Sequence, residues 1–350
     1  MDTKNMKAVM LVKDYNPETG QLGEVDCLNV PVPKLVNDDD VLIKVAYASI
    51  CGSDPNVLKG LFPDRAPCPI GHEVSGTIKE LGPKAKKLGW KVGDRVTGNF
   101  YQTCGACDYC HNGMGQFCPN AVGKVGAQAE YIVWSASQLY RLPDSVDLLD
   151  GTFAEPFNIA LHAIEVADMK LGDRLAISGA GGIGLMLVQI AKISGASQVT
   201  VIEPVQSKRE LALELGADYA IDPINDDVLA KTAEITNGFG FNVVIEASGN
   251  SKAAETALQI AAKQGHVVYF SMYDMDYNLP VNLYKYCYHN EIRIQGMYLA
   301  QNSFARAVEM LPRINFKPLI DKIYPLDDCK KAYADQMSGK YAKLVFDCSK

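Results

Sequence analysis

The chain has 350 residues, of which 48% are hydrophobic and 21% charged, a composition typical of a globular protein. This length exceeds one ordinary hydrophobic core and predicts two domains. The net charge of −7 is mild and gives no reason to expect a nucleic-acid partner. The longest apolar stretch, Leu175–Ala191, is shorter than the roughly 20 residues of a membrane span, so no membrane partner is expected.

Short β-type runs separated by turn residues fill the first part of the chain. They predict strands over Lys7–Val12, Val41–Tyr47, Val74–Leu81 and Arg95–Thr97. Helical periodicity is poor here. This part of the chain therefore predicts a small, irregular β-rich domain or barrel.

Two short motifs in this part carry metal-binding side chains. They are Cys51-Gly-Ser53-Asp54 and Gly71-His72-Glu73. A cysteine thiolate and a histidine imidazole are typical ligands of a catalytic zinc, which keeps one coordination position open. Asp54 can orient the imidazole from behind, and Ser53 can place a hydroxyl beside the open position. The alternative is that Cys51 and His72 are buried core residues.

Four further cysteines lie close together in a C-x2-C-x2-C-x7-C spacing. They are Cys104, Cys107, Cys110 and Cys118. Four thiolates this close can enclose a structural zinc with no open position. Disulfides are the first alternative, but the polar start Met1–Asn5 shows no signal peptide, so we expect a cytoplasmic protein with reduced thiols. An iron–sulfur cluster is the second alternative, since a C-x2-C-x2-C run can also bind one.

The composition changes near residue 155, and helices then alternate with strands. A helical run over Phe157–Ala167 follows Glu155-Pro156. The predicted strands are Arg174–Ser178, Gln198–Ile202, Asn242–Ala247, His266–Phe270 and Ile292–Met297, with helices over Ile183–Ile193 and Lys252–Lys263. This alternation predicts an α/β domain with a doubly wound parallel sheet. The tail predicts helices over Gln301–Met310 and Asp327–Met337 and a strand over Tyr341–Phe346, with pieces that return to the first domain.

The sequence Gly179-Ala-Gly181-Gly182-Ile183-Gly184 joins a predicted strand to a predicted helix, the context of a dinucleotide-binding loop. Gly179 makes the turn, Gly181 lets a pyrophosphate approach the backbone, and Gly184 lets the helix pack on the strand. The N-terminus of that helix, at Gly182 and Ile183, offers amide donors to phosphate.

Glu203 ends the next predicted strand, where an acid can accept hydrogen bonds from the adenosine ribose. Its charge repels a 2′-phosphate, so NAD is favoured over NADP. Lys208 and Arg209 nearby keep NADP open as the alternative.

Together these motifs resemble the zinc-containing medium-chain alcohol dehydrogenases over essentially the whole chain. Val92–Val96 and Ala129-Glu130-Tyr131 add to the likeness. The resemblance implies a β-rich, GroES-like catalytic domain over residues 1–155 and 298–350 and a Rossmann-type domain over 156–297. Glu155-Pro156, followed by Ala160–Ala163, is most similar to the polyol dehydrogenase branch, which includes sorbitol, galactitol-phosphate and threonine dehydrogenases.

The resemblance also implies roles for individual residues. A catalytic zinc would be held by Cys51, His72 and Glu155, with Glu73 behind it as an exchangeable ligand, and which carboxylate is the resting ligand stays open. Glu155 could also be a helix-start carboxylate. Ser53 would hydrogen-bond the substrate oxygen. Lys208 would contact the ribose and Lys343 would lie near the pyrophosphate.

Asn56 departs from the family pattern, because many relatives carry a proton-relaying histidine at that position. The route by which the proton leaves is therefore open, and a water chain or a substrate hydroxyl can replace the histidine.

The implied activity is hydride transfer between NAD and a secondary alcohol of a polyol, cyclitol, sugar acid or sugar phosphate, by a homodimer or homotetramer with two zinc ions per chain. Three alternatives stay open. They are a metal-free NADPH enone or quinone reductase, an enzyme that uses tightly bound NAD for transient oxidation, and a non-catalytic NAD-binding protein.

Overall fold

The structure is a computed structural model and describes residues 5–62, 65–300 and 302–349. Contacts divide the chain into two compact units, Met1–Asn158 with Ala300–Lys350, and Ile159–Leu299. Residues 1–4, which carry most of the polar start, and Gln301, the first residue of a predicted helix, lie outside the described residues. Among the described helices, none is long and apolar enough to cross a membrane.

The strands, in chain order, are β1 (Asn5–Lys13), β2 (Glu24–Pro31), β3 (Asp40–Ser49), β4 (Cys68–Pro69), β5 (Glu73–Leu81), β6 (Arg95–Gly98), β7 (Tyr101–Gln102), β8 (Val122–Gly123), β9 (Tyr131–Ser135), β10 (Leu139–Arg141), β11 (Arg174–Ser178), β12 (Gln198–Ile202), β13 (Tyr219–Ile221), β14 (Phe241–Glu246), β15 (Ala261–Tyr269), β16 (Arg293–Gly296), β17 (Ile320–Pro325) and β18 (Lys343–Asp347).

The α-helices are α1 (Pro55–Leu58), α2 (Pro83–Lys87), α3 (Asp108–His111), α4 (Leu148–Gly151), α5 (Ala154–Val166), α6 (Gly182–Ile193), α7 (Gln206–Glu214), α8 (Val228–Ile235), α9 (Ser251–Ile260), α10 (Phe304–Met310) and α11 (Cys329–Met337). Short 3-10 helices cover Gly115–Phe117, Ala136–Gln138, Leu311–Arg313, Lys317–Leu319 and Leu326–Asp328, and a π-helical turn covers Tyr284–His289.

The first unit is the β-rich one. Its largest sheet runs β10-β6-β5-β3-β18-β17, with β9 also paired to β3, and smaller sheets join β2-β1-β4 and β7-β8. The central strands are buried over most of their length, and their side chains form one core that includes Val45, Val74 and Phe346. The C-terminal strand β18 pairs antiparallel with β3, so the end of the chain returns to this unit as expected.

The register of three neighbouring strands matters most for function. Ser49, at the end of β3, lies opposite Glu73, at the start of β5. Val345 of β18 lies opposite Ser49 on the other side. The segment after β3, the segment before β5 and the start of β18 therefore meet at one end of the sheet.

The second unit contains a six-stranded sheet in the order β13-β12-β11-β14-β15-β16, and every pairing is parallel. The order reverses at β11, and helices connect the parallel strands, which is the doubly wound arrangement. The predicted fold class, a β-rich domain plus a Rossmann-type parallel sheet, is confirmed. The strand β13 and the helices α7 and α8 had no matching prediction.

The glycine loop follows β11, and its glycines differ in the space around them. Gly179 adopts φ +98°, which favours glycine. A Cβ at Gly184 would lie 2.0 Å from the carbonyl oxygen of Gly179, so helix α6 packs against its own entry turn. A Cβ at Gly181 would meet no described atom within 4 Å. Gly184 is thus required for packing, whereas Gly181 faces open space.

We expect Gly184→Ala to lower the free energy of unfolding by about 1–3 kcal/mol, because the added methyl must displace backbone. Gly181→Ala is the matched control and should cost less than about 1 kcal/mol, the scale of an N-cap change. Urea denaturation measures both. Equal losses for the two variants would contradict this view of the loop.

Candidate metal and nucleotide sites

The strand register brings Cys51, His72 and Glu73 together. One donor atom from each, the sulfur, a ring nitrogen and a carboxylate oxygen, lies within 4.8 Å of the others. Cys51 is the second residue after the end of β3, and His72 immediately precedes β5. Glu73 is buried, and Cys51 and His72 are half-buried. A thiol, an imidazole and a carboxylate at this spacing fit one divalent metal ion.

Asp54 orients the histidine of this group. Its Oδ1 lies 3.3 Å from Nδ1 of His72, while its Oδ2 accepts hydrogen bonds of 3.0 Å from the Cys51 amide and from the Gln128 side chain. The Tyr333 hydroxyl in turn donates to Gln128 Oε1 at 3.0 Å. Because Nδ1 of His72 faces Asp54, Nε2 is the nitrogen left for a metal.

Glu73 is fully buried (0% exposed), and its two oxygens have different surroundings. Oε2 accepts hydrogen bonds from the Ser49 hydroxyl and the Lys343 ammonium. Oε1 has no hydrogen-bond partner among the described residues. A buried carboxylate oxygen without a partner is costly, and a cation beside it would remove that cost.

Glu155 lies in the first turn of α5, because the helix begins at Ala154 rather than at Pro156. The residue is 5% exposed. Burial raises the pKa of Glu155 to about 7, with Glu73 adding to the shift and His72 opposing it. Glu155 does not belong to the group whose donor atoms lie within 4.8 Å, but it shares their electrostatic environment.

Lys343 was expected near a pyrophosphate, and within the first unit its contacts are with the metal group. The residue is 4% exposed, and its ammonium binds Glu73 and the carbonyl oxygen of Ile50, the latter at 3.2 Å. Burial alone would lower the pKa of Lys343, but the nearby charges of Glu73 and Cys51 outweigh it and raise the pKa. The ammonium of Lys343 is therefore paired with a buried carboxylate of the metal group.

Ser53 and Phe100 border the group. The Ser53 hydroxyl donates to Cys51 Sγ at 3.2 Å, and the Phe100 ring centroid lies 4.8 Å from that of His72. Asn56, in α1, contributes no titratable group. Phe100, Gln128 and Tyr333 were not predicted, because no local motif marks them.

The four cysteines of the lobe also come together. Cys107 and Cys110, like Cys104 and Cys118, have their sulfurs 3.5 Å apart, and the Cys104 and Cys110 sulfurs are 3.9 Å apart. Four sulfurs each about 2.3 Å from a zinc stand roughly 3.8 Å apart, so the spacing fits a tetrahedral ion. Backbone amides of Ala106 and Cys107 lower the pKa of Cys104 to about 6, which favours a thiolate.

In the second unit, Glu203 braces the glycine loop. Its Oε2 accepts the Ala180 amide at 2.7 Å and its Oε1 accepts the Val205 amide at 2.9 Å. Arg209 donates to the Glu203 carbonyl at 2.7 Å and pairs with Asp222 at 2.9 Å. Lys208 is buried in α7. Asp222 already neutralises Arg209, so Arg209 is a poorer partner for a 2′-phosphate.

Comparisons with known proteins agree with both halves of the fold. The family described as "Alcohol dehydrogenase GroES-like domain" matches residues 37–144, and that described as "Zinc-binding dehydrogenase" matches residues 182–313. D-arabitol-phosphate dehydrogenase of Enterococcus avium is 34% identical over 363 residues, covering 99% of this chain and 98% of the relative.

Two solved structures share the fold across nearly the full length. Galactitol-1-phosphate dehydrogenase of Escherichia coli has a TM-score of 0.88 at 25% identity, with 98% and 100% of the two chains covered. A protein of Sinorhizobium meliloti 1021, described as a zinc-binding dehydrogenase and bound to NADP, has a TM-score of 0.90 at 29% identity, with 98% and 99% covered. The chain thus belongs to the zinc-containing medium-chain alcohol dehydrogenases, in the branch that includes polyol dehydrogenases.

Proposed function

We propose that this protein is a zinc-dependent dehydrogenase that oxidises a secondary alcohol of a polyol, cyclitol, sugar acid or sugar phosphate with NAD. One observation carries the proposal. Beside the Cys51–His72 pair lie two buried carboxylates, Glu73 and Glu155, and Oε1 of Glu73 has no hydrogen-bond partner among the described residues. Such a set of donors is costly on its own and favourable around a divalent cation.

Cys51, His72 and Glu155 would hold the zinc, with Glu73 in reserve. Zinc bound there supplies the Lewis acidity that lowers the pKa of an alcohol hydroxyl toward neutrality. Asp54 fixes the orientation of His72. The Ser53 hydroxyl, now donating to Cys51, would turn to accept the proton of the substrate hydroxyl at Oγ while it gives up its own proton toward solvent.

The proton then needs a route to solvent. Asn56 cannot relay it as a histidine does, because an amide does not titrate between pH 5 and 8. Water or a second substrate hydroxyl would carry the proton instead. A polyol supplies such a hydroxyl next to the reacting one.

NAD, when bound, accepts the hydride. The open space at Gly181 admits a pyrophosphate to the backbone, and the N-terminus of α6 offers it amide donors. Glu203 favours NAD by repelling a 2′-phosphate. One structural relative is bound to NADP, so the preference for NAD over NADP has to be measured.

The substrate class rests on the carboxylate-rich metal group and on the relatives that act on phosphorylated polyols. A vicinal diol can offer two oxygens to one cation, which suits substrates with adjacent hydroxyls. Initial-rate assays with NAD across polyols, cyclitols, sugar acids and sugar phosphates test this class. Turnover confined to simple primary alcohols, or zinc-independent reduction of enones by NADPH, would contradict it.

Glu155 and Ser53 should separate metal binding from proton transfer. Glu155→Ala should lose the catalytic zinc with turnover, leaving about one zinc per chain in the cysteine lobe. Ser53→Ala should keep about two zincs and lose roughly 10²–10⁴-fold in kcat, the usual contribution of a proton-transfer group. Metal analysis and steady-state kinetics give both readouts. Full zinc content with near-normal kcat in Glu155→Ala would make that carboxylate structural.

Glu203→Gln should raise the NADP-to-NAD ratio of kcat/KM by roughly tenfold, equivalent to about 1.4 kcal/mol. The amide removes the charge that repels a 2′-phosphate while keeping the side-chain shape. A melting curve controls for loosening of the glycine loop, since the carboxylate also accepts two backbone amides there. An unchanged ratio in a folded variant would show that Glu203 does not face the ribose.

Cys107→Ser should impair folding more than chemistry, because metal binding in the cysteine lobe is coupled to folding. Lower soluble yield, a lower Tm and the loss of about one zinc per chain are expected. Cys287→Ser, an exposed cysteine outside the lobe, is the matched control. A Cys107→Ser protein that melts like the wild type and keeps its zinc would disprove the structural site.

A further inference from the structure

Lys343 is the one buried cation that the described residues place against the metal group. It starts β18, whose pairing with β3 brings it beside Ile50, and its side chain reaches Glu73 at the start of β5 on the other side of β3. Lys343 and Glu73 are 4% and 0% exposed and lie 270 positions apart in the chain. A buried lysine is costly unless it is paired, so such a residue needs a structural or functional reason.

The contacts of Lys343 are one-sided. Its ammonium and the Ser49 hydroxyl both bind Oε2 of Glu73, while Oε1 has no partner among the described residues. The carboxylate is therefore held by one oxygen and offers the other. A carboxylate restrained in this way can reach a metal ion with one oxygen only.

We propose that Lys343 is a positioning residue that limits how strongly Glu73 competes for the zinc. This inference rests on the proposed function, since it assumes a zinc at Cys51 and His72. By anchoring Oε2 and offsetting the charge of Glu73, the ammonium keeps that carboxylate a weak reserve ligand. Glu155 then remains the working carboxylate ligand, and one coordination position stays open for substrate.

The effect of Lys343 on Glu73 is electrostatic. Without the ammonium, the fully buried carboxylate of Glu73 has one remaining cation nearby, the zinc. Its attraction to the metal then rises, and the Glu73 carboxylate moves into the open coordination position. The zinc is held more tightly and the substrate is excluded.

The test is Lys343→Met, read first by zinc release to a chromogenic chelator. Zinc is released from two sites, and Cys107→Ser, which lacks the zinc of the cysteine lobe, shows which release phase belongs to the Cys51–His72 site. We expect release from the Cys51–His72 site to slow roughly tenfold, the scale by which residues behind a metal ligand change metal affinity. Turnover should fall while zinc content stays complete. In cobalt-substituted protein, the visible absorption should change as the Glu73 carboxylate joins the ligands of the metal.

Three variants serve as controls. Lys343→Arg keeps the charge and should restore wild-type release and absorption. The double variant Glu73→Gln with Lys343→Met removes the competing carboxylate and should also return release to the wild-type rate. Lys322 lies on the neighbouring strand β17, and Lys322→Met, which removes its ion pair of 2.8 Å to Asp335, should leave the zinc unaffected.

Lys343→Gln is made alongside, because it keeps a donor for the Ile50 carbonyl if the methionine variant does not fold. Unchanged or faster zinc release in the folded variants would overturn the inference, as would slow release that persists in the double variant. A wild-type protein with zinc in the cysteine lobe alone would instead overturn the proposed function. The two failures are thus distinguishable.

Discussion

The antiparallel register of β3 and β5 is the constraint on which the candidate metal site depends. Ser49 lies opposite Glu73, so the residues just beyond the end of β3 meet those just before the start of β5. Cys51 and His72 are brought together by this pairing. A slip of one residue would turn every side chain of one strand to the opposite face. The core valines that fix the register therefore also fix the geometry of the metal donors.

Charge balance is the second constraint. Glu73, Glu155 and Asp54 are all buried near the same thiol and imidazole, and Lys343 is the buried ammonium that faces them. Asp54 is satisfied by hydrogen bonds from Cys51 and Gln128. Glu73 is half-satisfied, and three buried carboxylates face one buried ammonium, so the group is short of positive charge. A divalent cation supplies it, which connects the burial of these acids to the chemistry of the family.

Local motifs explain what the sequence could predict. The glycine loop, the cysteine lobe and the Cys51 and His72 motifs are each compact in sequence, and their spacing alone indicates a strand-to-helix turn or a ligand set. The strands Arg174–Ser178 and Gln198–Ile202 were predicted with the bounds that the structure has, because buried parallel strands read as continuous apolar runs. The family resemblance added Glu155, which no spacing rule identifies.

What the sequence could not predict depends on contacts between distant residues. Nothing in the local sequence indicates that Lys343 is buried, because its burial depends on the pairing of β18 with β3. The hydrogen bond from Tyr333 to Gln128 likewise joins residues 205 positions apart. The start of α5 was also misplaced, because Pro156 is accepted within the first turn of a helix as well as at its first residue. Helix α7 lacks a clear apolar face, so its periodicity gave no signal.

Diffraction data collected on either side of the zinc absorption edge test the central claim most directly. Two anomalous peaks per chain are expected, one enclosed by the four cysteines of the lobe and one about 2.0–2.3 Å from Cys51, His72 and a carboxylate of Glu155 or Glu73. A single peak in the cysteine lobe, in protein that still oxidises polyols with NAD, would contradict a catalytic zinc at this site.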